Sequence, residues 1–266
     1  MTSETCILVG APVDSGKRRS GCLMGPDAYR TADLPGALRD LGYEVRDLGN
    51  LSPDSFAPDA EGAKIHALNE TIGWTAALAR AAGEAMDAGL PIFLGGDHSL
   101  SLGSVAGVAA HAARAGRPQF VLWLDAHSDY HTPLSSGSGN LHGTPLGYVT
   151  GREGFDGFPP VEAPVPQENI CILGLRSVDL PERQALTETA IRAHDMREID
   201  ESGILAPLTA FLEIVAKAGG ALHVSLDVDF LDPSVAPAVG TTVPGGATVR
   251  EGHLVMETIH DSGLMT

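Results

Sequence analysis

The sequence contains few cysteines. Only three, Cys6, Cys22 and Cys171, occur among its 266 residues. A small and odd number of cysteines gives no basis for the disulfide framework that stabilises many secreted domains. The cysteine content therefore predicts a protein of a reducing compartment, and we expect it to be cytoplasmic.

Basic residues are also scarce, and long apolar runs are missing. The chain has 17 Lys and Arg against 34 Asp and Glu, which gives a formal net charge of -17. Nucleic acids and anionic membranes require a basic face, so the composition argues against both as partners. Surplus acidity suits a pocket for a cationic ligand, although it is more often a solvated surface. No apolar run is long enough to cross a bilayer, and the N-terminus lacks the basic segment of a signal peptide.

The chain does contain enough apolar sequence for a sizeable core, since 43% of its residues are hydrophobic. Short apolar or β-branched runs alternate with longer runs rich in Ala, Leu and Glu. The short runs predict strands at 5–10, 43–49, 91–96, 119–125, 169–176 and 221–229, and the longer runs predict helices at 62–89, 99–115 and 203–219. This alternation is typical of an α/β protein whose mainly parallel sheet is covered by helices on both sides.

The Gly- and Pro-rich segment 151–167 predicts a surface loop. A domain linker is the less favoured interpretation, because the strand pattern resumes directly after this segment. The sequence shows no internal repeat. We therefore expect one domain over residues 1–266.

Acidic and imidazole side chains follow three of the predicted strands, in "GGDHS", "DAHSD" and "DVDFLDP". The acidic and imidazole residues in these motifs are Asp97, His98, Asp125, His127, Asp129, Asp227, Asp229 and Asp232. Ligands of open parallel sheets bind beyond the carboxyl ends of the strands, so neighbouring strands would gather these groups at one rim. Two carboxylates about 4 Å apart repel by roughly 4 kcal/mol at an effective dielectric constant near 20. Such a cluster requires protons or divalent cations.

A donor set of carboxylates and imidazoles without cysteine favours Mn²⁺ over structural zinc, and such sites also accept Mg²⁺, Fe²⁺ or Co²⁺. Two divalent ions would balance four carboxylates, and a two-metal site activates water against an electrophile. Each motif alone has another explanation: a solvated loop start, a helix cap at Asp97, or turn formation in Asp-Val-Asp and Asp-Pro. The presence of all three motifs at strand ends favours the metal site.

The three motifs, with "SLDVDFLDPSVAPAVGT" as the longest, resemble the metal-site signatures of the ureohydrolases, the family of arginase, agmatinase and their relatives. The resemblance implies a three-layer αβα fold and two Mn²⁺ ions per subunit that serve the hydrolysis of guanidino groups. It implies one ion held by His98, Asp125, Asp129 and Asp227, and a second held by Asp125, His127, Asp227 and Asp229. Asp125 and Asp227 would bridge the two ions, whereas Asp97 and Asp232 would support the ligands or turn the chain.

The segment "HTPLSSGSGNLHG" resembles the arginase loop that binds the α-carboxylate of an amino acid. The resemblance implies that Ser136, Ser138 and Asn140 contact this carboxylate and that His142 shuttles protons, for which imidazole suits neutral pH. His131 stands where arginases commonly have an Asn and would donate the equivalent hydrogen bond. The alternative is a mobile loop that is merely rich in Ser and Gly.

Two further segments are similar to arginase. "LRSVDLPER" implies that Asp179 and Glu182 hold the α-amino group, although carboxylates in the first turn of a helix also stabilise that helix. "GTTVPGGATVREG" implies that Thr241 lies near the guanidinium. In the reaction that this resemblance implies, Asp129 passes a proton to the leaving amine.

The chain departs from the family at "IHDSGLMT". The family continues there into a strand with a guanidinium-binding glutamate and a final helix, and we expect both to be lacking in this chain. Three hypotheses follow: an arginase of arginine breakdown, an agmatinase or other guanidino-acid ureohydrolase, and a truncated, non-catalytic metal-binding fragment. The family also implies a homo-oligomer, a trimer or a hexamer.

Overall fold

The computed structural model describes residues 5–266. The chain forms two compact units. The first unit runs up to His111 and includes His131–Ala163, and the second comprises Ala112–Tyr130 and Pro164–Thr266. The expectation of a single domain stays a prediction.

The first unit is built on a three-stranded parallel sheet. Its elements are β1 (Thr5–Ala11), α1 (Gly25–Thr31), α2 (Leu34–Asp40), β2 (Glu44–Asn50), α3 (Leu68–Ala88), β3 (Leu90–Gly95), most of α4 (Leu100–Arg114) and, after a gap in the chain order, α5 (Pro145–Val149). The strand order is β2-β1-β3. Helix α3 packs against β1 and β3, and it buries Trp74 and Leu78, which lie one turn apart on the same face.

The second unit is built on a four-stranded parallel sheet. Its elements are β4 (Gln119–Leu124), β5 (Ile170–Leu175), α6 (Leu180–Thr187), β6 (Arg192–Asp195), α7 (Met196–Ser202), α8 (Leu205–Ala218), β7 (Ala221–Leu226) and α9 (Val249–Ser262). The strand order is β6-β5-β4-β7. Every residue of β4 and β5 is buried, as expected for central strands of a sheet that is covered on both faces.

Helical periodicity builds the core of the second unit. Leu208, Phe211, Leu212 and Val215 recur along one face of α8 and are buried. The ring of Phe211 contacts that of Phe120 on β4 in an edge-to-face arrangement, with the ring centroids 6.0 Å apart. This contact fixes α8 against the strand that leads to the candidate site.

The predicted strands and helices are present, with shifted ends. Helix α3 begins at Leu68 and not at residue 62, because Ala67 has a left-handed φ of 43° that a helix cannot contain. Strand β7 ends at Leu226, since the side chain of Asp227 caps a 3-10 turn at Val228–Phe230. The segment 151–167 has no helix or strand before Gln167, but it buries Phe158 and Val165 and so is not entirely a surface loop.

Several short helices and one short strand were not predicted from the sequence. These are β6 and the helices α1, α2, α5, α6 and α7, together with the longer α9, for which no bounds were predicted. Strand β6 has four residues, of which Asp195 and Ala193 are exposed, so it lacks the apolar run that marks a buried strand. Over residues 5–266, no helix has the combination of length and apolar character that a membrane span requires.

We expect Phe211→Ala to lower the free energy of unfolding by about 3–5 kcal/mol, because it removes a buried ring from the core. Urea denaturation followed by circular dichroism measures this change. The control is Leu205→Ala on the same helix, where the side chain is 37% exposed and a loss of under about 1 kcal/mol is expected. Equal losses in the two variants would contradict the assignment of this core.

Candidate functional site

The acidic residues of the second unit follow two neighbouring strands. Strands β4 and β7 pair in parallel, with Leu124 opposite Leu226. The main-chain amide of Asp227 donates to the carbonyl of Leu124 at 2.9 Å. Asp125 and Asp227 therefore leave adjacent strand ends at the same level of the sheet.

Asp125 is fully buried and is fixed by its own segment. The Trp123 indole Nε1 donates to Asp125 Oδ2 at 3.0 Å, and the main-chain amide of His127 donates to Oδ1 at 2.7 Å. The His127 ring Nδ1 lies 3.3 Å from Asp125 Oδ1. One carboxylate thus organises the turn that leads from β4 into the candidate site.

Asp229 meets the same imidazole from the end of β7. Its Oδ2 lies 3.2 Å from His127 Nδ1, and its Oδ1 accepts a hydrogen bond from the main-chain amide of Ala126 at 3.2 Å. The Asp229 amide in turn donates to Asp227 Oδ1 at 2.9 Å. Asp125, His127 and Asp229 each offer a ligand atom within 4.8 Å of the others, which is the arrangement needed to hold a metal ion.

The protonation of this cluster reflects its charges. Burial raises the pKa of the Asp229 carboxyl, and the nearby Asp227 and Asp125 carboxylates raise it further. Burial lowers the pKa of His127, but its hydrogen bonds to Asp125 and Asp229 outweigh this effect and raise the pKa to about 11. In the absence of metal, a proton on the imidazole offsets the like charges. The donors fit a divalent ion, which would take the place of that proton.

The segment after His127 is buried and has an unusual backbone. Asp129 is 5% exposed and has a φ of 46°, in the left-handed region that costs a non-glycine residue about 1–3 kcal/mol. Such conformations cluster at active sites, although aspartate adopts them more readily than most residues. The next amide, that of Tyr130, donates to Glu182 Oε1 at 3.0 Å. The carboxylate of Glu182 therefore supports the segment that contains Asp129.

The two residues predicted to hold an α-amino group differ in their surroundings. Asp179 is exposed and caps α6 by accepting a hydrogen bond from the amide of Glu182 at 3.0 Å. Glu182 is buried at 7% exposure and accepts the hydrogen bond from Tyr130. The helix-capping interpretation of Asp179 is confirmed, and a role for both residues in substrate binding stays a prediction.

In the first unit, Asp97 and His98 follow β3 at a sharp turn. Gly96 is required there, because a Cβ at this position would lie 2.0 Å from the carbonyl oxygen of Val13. The Asp97 carboxylate accepts hydrogen bonds from the amides of Gly16 and Ser99 at 2.8 and 3.0 Å, and burial raises its pKa. Asp97 thus holds the turn. His98 is buried beside it, and its predicted role as a metal ligand stays a prediction.

The loop predicted to bind a carboxylate is held by the chain around it. The carbonyl of Gly16 accepts hydrogen bonds from the amides of Leu141 and His142 at 2.7 and 3.0 Å. Asn140 Oδ1 accepts from the amide of Arg18 at 3.1 Å, whose guanidinium donates to the carbonyl of Lys64 at 2.8 Å. These bonds argue against a loop that is merely mobile.

The serines of this loop have different environments. Ser136 is 2% exposed, and its hydroxyl donates to the carbonyl of Asn140 and accepts from the amide of Gly139. These bonds hold Ser136 within the loop, and its contact with a substrate carboxylate stays a prediction. Ser138 is exposed, with Asn140 partly exposed beside it. His131, near the start of the loop, has Nδ1 3.0 Å from Ser135 Oγ.

The last predicted contact lies in the loop between β7 and α9. Thr241 is exposed. Asp232 closes this loop by accepting hydrogen bonds from the amides of Ser234, Gly245 and Gly246. A hydrogen bond from the Ser234 side chain, together with these amides, lowers the pKa of the Asp232 carboxyl. The sequence-based interpretation of Asp232 as a turn residue is confirmed. Arg176 is not among the residues predicted from the sequence, and its guanidinium donates to the carbonyl of Val243 in the same loop.

The chain is similar over its whole described length to proteins of one family. The Arginase family model matches residues 4–266. The chain is 54% identical over 266 residues to an arginase of Agrobacterium fabrum, which covers 99% of this chain and 82% of that protein. It is 56% identical over 263 residues to an arginase of Brucella melitensis, with 98% and 86% covered. The solved arginase of Bacillus caldovelox superposes with a TM-score of 0.89 at 34% identity, with 99% and 88% covered, which confirms the predicted fold class.

We expect divalent metal binding to release protons near neutral pH, and the affinity to rise with pH. A His127 pKa of about 11 means that the imidazole stays protonated until well above neutral pH, so an ion that uses His127 must displace that proton. Titration calorimetry of the chelator-treated protein, in buffers of different ionisation enthalpy, measures about one proton per ion bound at this residue.

His127→Ala should lose this proton release. The control is His194→Ala, which removes an imidazole that pairs with Glu198 at 2.8 Å on α7 and should leave proton release as in the wild type. The same proton release from His127→Ala as from the wild type would show that His127 is not a ligand.

Proposed function

Because the chain belongs to the arginase family, we propose that it is an arginase, a metal-dependent hydrolase that converts L-arginine to L-ornithine and urea. The observation that carries this proposal is the identity of 54% and 56% to two arginases over nearly the whole chain. The buried Asp125, His127 and Asp229 cluster supports it, since hydrolysis of a stable guanidinium requires strong activation of water.

We propose two Mn²⁺ ions per subunit as the cofactor. The proposed ligands are carboxylates and imidazoles without a thiolate, a donor set that suits Mn²⁺. They are the residues His98, Asp125, His127, Asp129, Asp227 and Asp229. When bound, such ions lower the pKa of water and so supply hydroxide near neutral pH. The polar surroundings of each ligand fix its orientation, as the indole of Trp123 does for Asp125.

Two residues of the chain then transfer protons during the reaction. Asp129 takes up a proton from the attacking water and delivers it to the amine that leaves as ornithine, and its 5% exposure limits exchange of that proton with solvent. His142, whose amide is fixed to Gly16, exchanges protons with solvent. General acids and bases of this kind contribute about 10²–10⁴-fold to a rate.

Specificity for an amino acid comes from groups that recognise its α-carboxylate and α-amino group. The carboxylate is proposed to accept hydrogen bonds from the side chains of His131, Ser136, Ser138 and Asn140. Asp179 and Glu182 are proposed to attract the ammonium group, and Thr241 to contact the guanidinium. Groups that hydrogen-bond a substrate discriminate against analogues that lack the matching group, because the bonds made to the substrate are then lost.

The alternatives from the sequence are an agmatinase, whose substrate lacks the carboxylate, or another guanidino-acid ureohydrolase, and a non-catalytic metal-binding role. Neither is favoured, since the three similar proteins named above are all arginases. One ureohydrolase domain, a cytoplasmic location and a trimeric or hexameric assembly remain part of the proposal as sequence-based predictions.

The direct test is urea release from L-arginine by the purified protein loaded with Mn²⁺. We expect activity in the wild type and a loss of at least about 100-fold in Asp125→Asn, since even indirect partners of metal ligands contribute 10–100-fold. The control is Asp195→Asn, which alters an exposed cap of α7 and should retain activity. Full activity in Asp125→Asn, or none in the wild type, would refute the proposal.

A substrate panel tests the carboxylate loop. We expect kcat/KM for L-arginine to exceed that for agmatine by at least about 100-fold, in the range that lost hydrogen bonds to a substrate produce. Ser138→Ala should raise KM for arginine and leave the kinetics with agmatine unchanged, so that agmatine serves as the internal control. An equal effect on both substrates would show that Ser138 does not contact the carboxylate.

A further inference from the structure

Arg176 lies at the end of β5 in the second unit. It contacts both segments that carry the candidate metal ligands, the turn after β4 and the loop after β7. It directly follows the last residue of β5, Leu175. Its main-chain amide and that of Ser177 both donate to the carbonyl of Ala126 at 3.0 Å. Ala126 lies between Asp125 and His127, and its own amide donates to the Asp229 carboxylate. The backbone of Arg176 is thus connected to the segment of the proposed ligands.

The guanidinium of Arg176 extends this connection to the loop after β7. Nη2 donates to the main-chain carbonyls of Asp229 at 2.5 Å and Val243 at 2.9 Å, and Nε donates to Val243 at 3.0 Å. Among the described residues, every acceptor recorded for this guanidinium is a main-chain carbonyl. A planar, rigid fork of donors is pre-organised to bridge two carbonyls in this way, whereas a lysine ammonium carries its three donors on a flexible stem and loses more freedom in doing so.

The chain packs closely around this guanidinium. A Cβ at Gly246 would lie 2.6 Å from Arg176 Nη2. Gly174, with a φ of 104°, leaves room for the ring of Phe230, which a Cβ there would approach to 2.6 Å. The segment from Asp229 to Gly246 therefore packs around the arginine side chain. A shorter side chain would leave the carbonyls of Asp229 and Val243 without this donor.

The charge of Arg176 gives a way to separate two roles. An arginine stays charged in proteins, and a positive charge beside a cation site opposes metal binding. If charge were its main effect, removal of Arg176 would tighten metal binding. If it acts by holding Asp229 in place, its removal would weaken metal binding.

We propose that Arg176 is a positioning residue that fixes the main chain of Asp229 and the loop from Asp232 to Ala247 in one arrangement. Through Asp229 it sets the affinity for metal. Through Val243 it sets the position of Thr241, and this second part rests on the proposed function. The residue touches neither substrate nor metal in this role.

The test compares Arg176→Gln and Arg176→Lys with the wild type in the full chain. Mn²⁺ is added to the metal-free protein, and the free ion is measured by electron paramagnetic resonance. We expect the dissociation constant to rise by about tenfold or more in Arg176→Gln, as for other indirect partners of ligands, and by less in Arg176→Lys. The control is Arg197→Gln, an exposed arginine that pairs with Glu201 at 3.0 Å and should bind Mn²⁺ as the wild type does.

Chemical rescue separates positioning from a general loss of stability. In Arg176→Ala, guanidinium chloride at a concentration too low to unfold the protein should restore part of the Mn²⁺ affinity, and NaCl at the same ionic strength should not. If the Ala or Gln variant fails to fold, as judged by circular dichroism, the Lys variant decides by its loss of affinity. Unchanged or tighter Mn²⁺ binding in the folded variants would overturn the proposal.

The Mn²⁺ titration needs no turnover, so the two proposals fail in different ways. A wild type whose Mn²⁺ affinity depends on Arg176 as predicted, but which releases no urea, would refute the arginase activity alone. At saturating Mn²⁺, the Gln variant should also show a higher KM for L-arginine with a smaller change in kcat, because the position of Thr241 affects substrate binding. An unchanged KM would overturn the second part of the proposal.

Discussion

Asp125, Asp227 and Asp229 follow two paired strands, and their like charges repel where burial has removed much of the water. Their arrangement persists because each carboxylate has a fixed donor: the indole of Trp123, the amide of Asp229, and the amide of Ala126. The remaining charge must be balanced by a cation or a proton, and the hydrogen bonds of His127 to Asp125 and Asp229 raise its pKa to about 11, which favours a proton on this imidazole. A divalent ion that replaced this proton would be attracted by the clustered carboxylates, so their charge would raise the affinity for the metal.

The scaffold makes this possible because β4 and β7 are neighbours, and their parallel pairing sets Asp125 and Asp227 at one level. Arg176, at the end of β5, then connects the turn after β4 with the loop after β7 through main-chain carbonyls. Three strands of one sheet thus hold the cluster. The ring contact of Phe120 with Phe211 packs α8 against this sheet. Fixed ligands lose less entropy when a metal binds, which is why a rigid scaffold favours affinity.

The strands and their acidic ends could be predicted because buried parallel strands are apolar runs that stop abruptly at Asp125 or Asp227. The role of Arg176 could not, since main-chain carbonyls act as acceptors whatever the residue and leave no pattern in the sequence. The left-handed backbone at Asp129 depends on the packing around this residue. Nothing in the motif "DAHSD" indicates whether the backbone at Asp129 is left-handed or extended. Strand β6 was missed because its residues alternate between half-buried and exposed.

Anomalous diffraction at the manganese absorption edge, from crystals of the protein grown with Mn²⁺, tests the central claim most directly. The account predicts a strong peak within coordination distance of the side chains of Asp125, His127 and Asp229. A map with no peak beside these three residues, although Mn²⁺ was present at saturating concentration, would contradict it.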